Sequence, residues 1–135
     1  KDIDFKYRDS GLSDELIFLS ASFKGYKKEK AQIKREVQKL IEKKEVAQPT
    51  RIKTSGSTFK NPINQTDKKV WQLISESVPL EKSFGDASIS DKHCNFFVNK
   101  GNAKFEDMKN LIEFVADCVF KKTGIKLETE IKIIE

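Results

Sequence analysis

Apolar and polar positions change period several times along the chain. Within residues 2–24, Ile17, Leu19, Ala21 and Phe23 alternate with Phe18, Ser20 and Ser22. A period of two predicts a strand, and Gly25 ends it. Across 27–46, Ala31, Ile33, Val37, Leu40 and Ile41 fall near one helical stripe, with Lys, Arg, Glu and Gln elsewhere. That pattern predicts a solvated amphipathic helix. Pro49 stops it, and residues 51–57, dense in Gly, Ser and Thr, predict a loop or tight turn. Asn61-Pro62 imposes another extended or turn conformation. A short helix is expected over 67–77, with Thr66 as its cap and Val70, Trp71 and Ile74 facing inward. Residues 87–90 and 95–99 read as short strands, followed by a turn at 99–102. Over 104–123, Phe105, Met108, Leu111, Ile112, Val115, Cys118 and Val119 recur at three- and four-residue spacing, which predicts a helix. Glu106 and Asp107 suit its N-terminal dipole end, Lys121 and Lys122 its C-terminal end, and Gly124 its C-cap. Residues 125–134 alternate again through Ile125, Leu127, Thr129, Ile131 and Ile133, predicting a closing strand. Helices and strands mixed without a βαβ repeat indicate the α+β class. No internal repeat is visible.

Composition narrows the picture. A chain of 135 residues suits a single core, and ten Phe side chains give it a large apolar payload. No apolar run approaches the roughly 20 residues needed to span a bilayer. The start, Lys1-Asp2-Ile3-Asp4, has neither a secretory pattern nor an initiator Met, so a fragment of a longer protein is expected. The net charge of +5 suits an anionic partner: nucleic acid, a membrane surface or a phosphorylated small molecule. Glu29, Glu36, Glu42 and Glu45, interspersed among the basic residues of the 27–46 helix, favour an ordinary charged surface there over a nucleic-acid groove. Cys94 and Cys118 form no CxxC pair and read as neutral thiols. His93 beside Cys94 has no further ligand at zinc spacing, so no metal site is expected.

Candidate chemistry concentrates in Gly56-Ser57-Thr58-Phe59-Lys60-Asn61-Pro62. Hydroxyls, an amide, an ammonium and a flexible Gly share one turn. Such a loop either presses backbone N–H groups and Lys60 against a phosphate or carboxylate, or is a structural turn. It lacks Walker A spacing.

This run is similar to the signature of the UDP-N-acetylenolpyruvoylglucosamine reductases. Four other segments resemble that family in the same order. They are Phe5-Lys6-Tyr7-Arg8-Asp9-Ser10, Gln48-Pro49, the stretch from Gly85 through Lys92-His93-Cys94-Asn95-Phe96 to Asn99, and Gly124-Ile125-Lys126-Leu127-Glu128-Thr129-Glu130-Ile131. The resemblance implies a cytoplasmic, monomeric enzyme of peptidoglycan precursor synthesis. It would bind FAD, take reducing power from NADPH, and reduce UDP-N-acetylenolpyruvoylglucosamine to UDP-N-acetylmuramate. It implies Ser57 as the acid that protonates the α-carbon, Arg8 as the cation stabilising enolate charge, and Glu130 as the second catalytic carboxyl. A developing enolate needs such a fixed positive charge. Lys60 and Asn61 match positions suited to the substrate's phosphates or carboxylate, and Tyr7, His93 and Asn95 would line the same pocket. On this resemblance residues 1–24 are the end of the FAD-binding domain and 25–46 a connecting helix. Residues 47–124 would be the substrate-binding domain and 125–135 a closing strand carrying Glu130. Lys44 stands where the family often has Arg, and residues 75–82 replace a Gly-rich stretch. Nothing in the chain corresponds to the main FAD-binding domain, which should hold most of the flavin. Two other readings stay open: a non-catalytic UDP-sugar-binding domain, and a small basic nucleic-acid-binding module.

Overall fold

The computed structural model describes residues 3–13 and 15–134; Lys1, Asp2, Asp14 and Glu135, which fall within the expected stretches 1–24 and 125–135, lie outside the described residues. The chain divides into two compact units, Lys1–Ile33 and Lys34–Glu135.

In the first unit a tight turn joins Lys6 and Asp9, whose backbones exchange hydrogen bonds of 2.8 and 3.3 Å. Arg8 occupies it at φ 58°, a left-handed conformation uncommon outside glycine. The alternating stretch that follows is not a strand. Ile17, Phe18, Leu19 and Phe23 are 84, 70, 92 and 94% exposed. Alternation assigns two faces to a segment, but a strand also needs a neighbouring edge for its N–H and C=O groups. Helix α1 (Lys30–Ala47), which crosses the division between the two units, matches the amphipathic pattern and buries no side chain.

The second unit is α+β. The segment expected as a loop contains a strand, β1 (Lys53–Ser57). It pairs antiparallel with β4 (Phe96–Asn99), with a bulge between Thr54 and Ser57 where Gly56 takes φ 90°. Strands β2 (Ser83–Phe84) and β3 (Ala87–Ile89) complete a four-stranded antiparallel sheet ordered β1-β4-β3-β2. As an edge strand β1 pairs on one side only, so hydroxyl- and glycine-rich residues are tolerated there.

Helices α2 (Val70–Ser77) and α3 (Phe105–Thr123) pack together, and α3 lies against β2 and β3. The core joins Leu73 and Ile74 of α2, Leu111, Val115 and Val119 of α3, Ala87, Ile89 and Phe97 of the sheet, and Phe59. Helix α2 starts three residues later than expected. Asn61 Oδ1 accepts the Val70 N–H at 3.0 Å, and Gln72 Oε1 accepts that of Lys69 at 2.8 Å. Thr66 instead closes a turn onto the Lys68 N–H at 3.2 Å. With Val70 first, the inward stripe runs through Val70, Leu73 and Ile74, and Trp71 is 46% exposed rather than inward. Helix α3 opens with Asp107 Oδ2 on the Lys104 N–H and ends at Gly124, φ 73°, whose N–H reaches Phe120 O at 2.8 Å. Among the described residues no helix is long and apolar enough to cross a membrane.

Described residues 125–134 do not form the expected strand. They make one antiparallel bridge, Phe59 to Thr129. At Lys126 the neighbour is a side chain. Gln65 Nε2 donates to the Lys126 carbonyl at 2.9 Å, and the Lys126 N–H donates to Gln65 Oε1 at 3.0 Å. The Gln65 amide at Lys126 and the bridge at Glu128 and Glu130 take up backbone groups there without a ladder.

Candidate functional site

The site is built where β1 runs out. Beyond Ser57, residues 58–60 pass between the segment entering β4 and the closing tail. On one side the Thr58 N–H donates to Asn95 O at 2.8 Å. The Asn95 side chain then takes both polar groups of the next residue. Its Oδ1 accepts the Phe59 N–H at 3.0 Å and its Nδ2 donates to Phe59 O at 2.9 Å. Asn95 is buried, and so is the Phe59 ring, which meets Phe97 edge to face at 6.0 Å. On the other side the Lys60 N–H donates to Glu128 O at 2.9 Å and the Glu130 N–H to Thr58 O at 2.8 Å. The Lys60 ammonium pairs with the Glu128 carboxylate.

His93 sits at the turn into β4. Its Nδ1 accepts the Asn95 N–H at 3.2 Å, and its ring stands edge-on to Phe96 at 5.0 Å. An accepting Nδ1 assigns the ring as neutral with its proton on Nε2. Burial pushes its pKa below the ordinary value. The neighbouring Cys94 thiol donates to Trp71 O at 3.0 Å, and burial pushes its pKa up.

One hydrogen-bonded assembly therefore joins the signature loop, the His93–Asn95 segment and the closing tail. Ser57 lies at its edge, half-buried, next to the residue whose carbonyl anchors Glu130. Tyr7 and Arg8 belong to the first unit, where the Arg8 guanidinium lies 5.4 Å over the Tyr7 ring. The amides of Asn61 and Asn95 are engaged with backbone of their own unit. The backbone N–H groups of Thr58, Phe59 and Lys60 are all bonded within the protein, so they do not form an anion cradle. Any ligand at this loop would meet the Ser57 hydroxyl and the Lys60 ammonium. Glu128 was not singled out by the sequence pattern. Its position two residues before Glu130 is the signal that it shares a face with Lys60 across the bridge. Two cavities, of about 190 and 320 Å³, are lined by none of the candidate residues.

The fold is thus a small α+β domain that pins a polar loop between a buried amide and a carboxylate-bearing tail. Residues 48–134 match the family model described as UDP-N-acetylenolpyruvoylglucosamine reductase, C-terminal domain. The chain is 70% identical over 131 residues to the UDP-N-acetylenolpyruvoylglucosamine reductase of Pelagibacter ubique, covering 97% of this chain and 43% of that protein. It is 40% identical over 134 residues to the enzyme of the same name from Rickettsia typhi, covering 99% of this chain and 44% of that protein. The crystal structure of UDP-N-acetylenolpyruvylglucosamine reductase from Thermus caldophilus superposes with a TM-score of 0.60 at 31% identity, over 79% of this chain and 36% of that one. The chain belongs to the UDP-N-acetylenolpyruvoylglucosamine reductase family and carries its C-terminal domain. It spans less than half the length of the curated relatives it matches.

Proposed function

We propose that this chain is the substrate-binding and proton-donating part of a cytoplasmic, FAD- and NADPH-dependent reductase. The enzyme converts UDP-N-acetylenolpyruvoylglucosamine to UDP-N-acetylmuramate for peptidoglycan synthesis. The carrying observation is the anchoring of Glu130 to Thr58, the residue after Ser57, at 2.8 Å. Two candidate catalytic residues far apart in sequence are thereby held by one pair of segments.

The described residues fit the flavin in part. They offer a proton donor and charged groups for the reacting carbon, whereas the backbone N–H groups at 58–60 are already bonded and cannot cradle a pyrophosphate. The cradle is assigned to the length of the relatives that this chain does not span. The exposed Ile17, Phe18, Leu19 and Phe23 support reading residues 1–24 as the end of that FAD-binding domain, because an unpaired alternating segment fits a sheet edge. If FAD is bound and reduced by NADPH, it would supply the hydride for the β-carbon of the enol ether.

This chain's residues handle charge and proton. Arg8 stabilises the enolate and carboxylate charge that develops on the α-carbon side. The Ser57 Oγ–H gives its proton to that carbon. A hydroxyl is a weak acid in water and works here because the carbanion is far more basic and the geometry is fixed. Glu130 acts as the second catalytic carboxyl, held beside the Ser57 loop by its N–H bond to Thr58 O. Lys60 faces the substrate's anionic groups, and substrate competes with Glu128 for it. Asn61 would line the substrate pocket from the second unit, Tyr7 would be a further substrate contact, and His93 and Asn95 hold the loop from behind.

The test uses the full-length enzyme and stopped-flow absorbance. Ser57→Ala should leave flavin bleaching by NADPH intact and slow recolouring by substrate by about 100- to 10,000-fold, the usual loss on removing a positioned acid. Recolouring at the normal rate, with normal product, would remove Ser57 from the acid role.

A further inference from the structure

We propose that Asn95 is the positioning residue for Ser57: it sets the direction of the catalytic hydroxyl by clamping both backbone polar groups of Phe59. The inference rests on the reductase reading of this site. Ser57 lies where regular pairing fails. It is the last paired residue of β1, opposite Phe96, and the bulge with Gly56 at φ 90° precedes it. The bulge cuts Ser57 off from the regular ladder upstream, so its orientation is set by its pairing with Phe96 and by the chain downstream. That chain is held at its next two residues by Asn95, through the carbonyl on the Thr58 N–H and the side-chain amide on Phe59. An amide offers one acceptor and one donor in a rigid plane, which matches the N–H and C=O of a single residue. Asn95 is buried at 3% exposure, and Phe59 at 1% is locked against Phe97. The clamp thus transmits the position of the core to the loop. The backbone of Asn95 is itself seated on His93 Nδ1. This gives the His93-Cys94-Asn95 segment a function apart from contact with substrate.

Two arms test the proposal in the full-length enzyme. Amide hydrogen exchange reads the clamp directly. Asn95→Ala should raise exchange at Phe59 by tenfold or more, with the helix α3 amides unchanged. Stopped-flow reads the consequence. The same variant should slow recolouring by substrate about 100-fold, the effect of a misplacement of about 1 Å. Flavin bleaching by NADPH and substrate KM should stay within a few-fold. Asn95→Asp, which keeps the acceptor for the Phe59 N–H, should recover part of that rate, and it decides the matter by the same split if Asn95→Ala does not fold. Unchanged Phe59 exchange overturns the clamp whatever the enzyme does. Raised exchange with normal recolouring, or equal losses in both half-reactions, overturns the positioning role. A wild-type enzyme that never recolours with substrate would sink the reductase reading instead, while the exchange arm still decides whether the clamp exists.

Discussion

At the scale of single residues, two neighbours titrate against the fold from opposite sides. His93 is held neutral by burial, with its pKa below the ordinary 6.5. As pH falls below that value the unfolded chain takes up the proton first, so stability present above about 6.5 is lost toward acid. Protonation also turns Nδ1 from acceptor to donor and removes its bond from the Asn95 N–H. Cys94 is the mirror case. Its pKa is raised above the ordinary 9.0 by burial, so the unfolded chain loses its proton first and stability falls as pH rises past 9. The melting midpoint should therefore hold a plateau between these limits. His93→Gln should flatten the acid shoulder and Cys94→Ala the alkaline one. Shoulders unchanged in both variants would refute the assignment. None of this was legible in the chain itself. A lone His and two spaced thiols show no zinc-type spacing, but the partner of an amide or imidazole depends on which backbone the fold brings past it. Asn95 meets Phe59 across 36 residues. Ser57 and Lys60 stood out because the polar run Gly56–Pro62 and its family resemblance lie within one continuous stretch of sequence.

At the scale of elements, legibility follows the range of the interactions that make each one. Helix α3 was readable nearly to the residue, since its stripe, its charged ends and the Gly124 cap are all local. Residues 53–57 read as a loop because a hydroxyl-rich edge strand with a bulge carries no apolar alternation, and its one ladder comes from β4. The tail and residues 15–24 misled in the opposite sense: they alternate, yet alternation supplies no partner. In helix α2 Val70, Leu73 and Ile74 share the inward stripe, while Trp71 lies about 100° round the helix from Val70 and falls off it. Leu73 is 1% exposed and Trp71 46%. Leu73→Ala should cost about 2–5 kcal/mol, the usual range for a buried Leu. Trp71→Ala should cost well under that, since its contribution to the Cys94 thiol is a backbone carbonyl that the substitution keeps. Urea unfolding of both variants checks the order. A larger loss at Trp71 would place the indole inward, as the sequence pattern suggested.

At the scale of the molecule, the groups of the candidate loop are bonded largely to the domain itself. Its candidate side chains line neither of the two cavities of about 190 and 320 Å³, its loop N–H groups are bonded internally, and helix α1 buries no side chain. The net charge of +5 suits an anionic nucleotide sugar, but net charge alone holds nothing in place. A dinucleotide cofactor needs unbonded N–H groups for its pyrophosphate and a slot that removes most of its surface from water. At the signature loop, three successive N–H groups are spent on Asn95 and Glu128, and the tail binds back through Lys60 and Thr58. On the proposed function the domain would form one wall of a site, with the other wall supplied by length of the relatives that this chain does not span, since it covers 43% of the Pelagibacter ubique protein. The 135-residue chain, mixed with FAD and passed through a desalting column, should emerge without stoichiometric flavin. Full-length enzyme treated alike should emerge yellow. Absorbance of the protein fraction reads both. Flavin retained one to one by the short chain would mean that it contains a dinucleotide cradle, and the division of labour between the two parts would have to be redrawn.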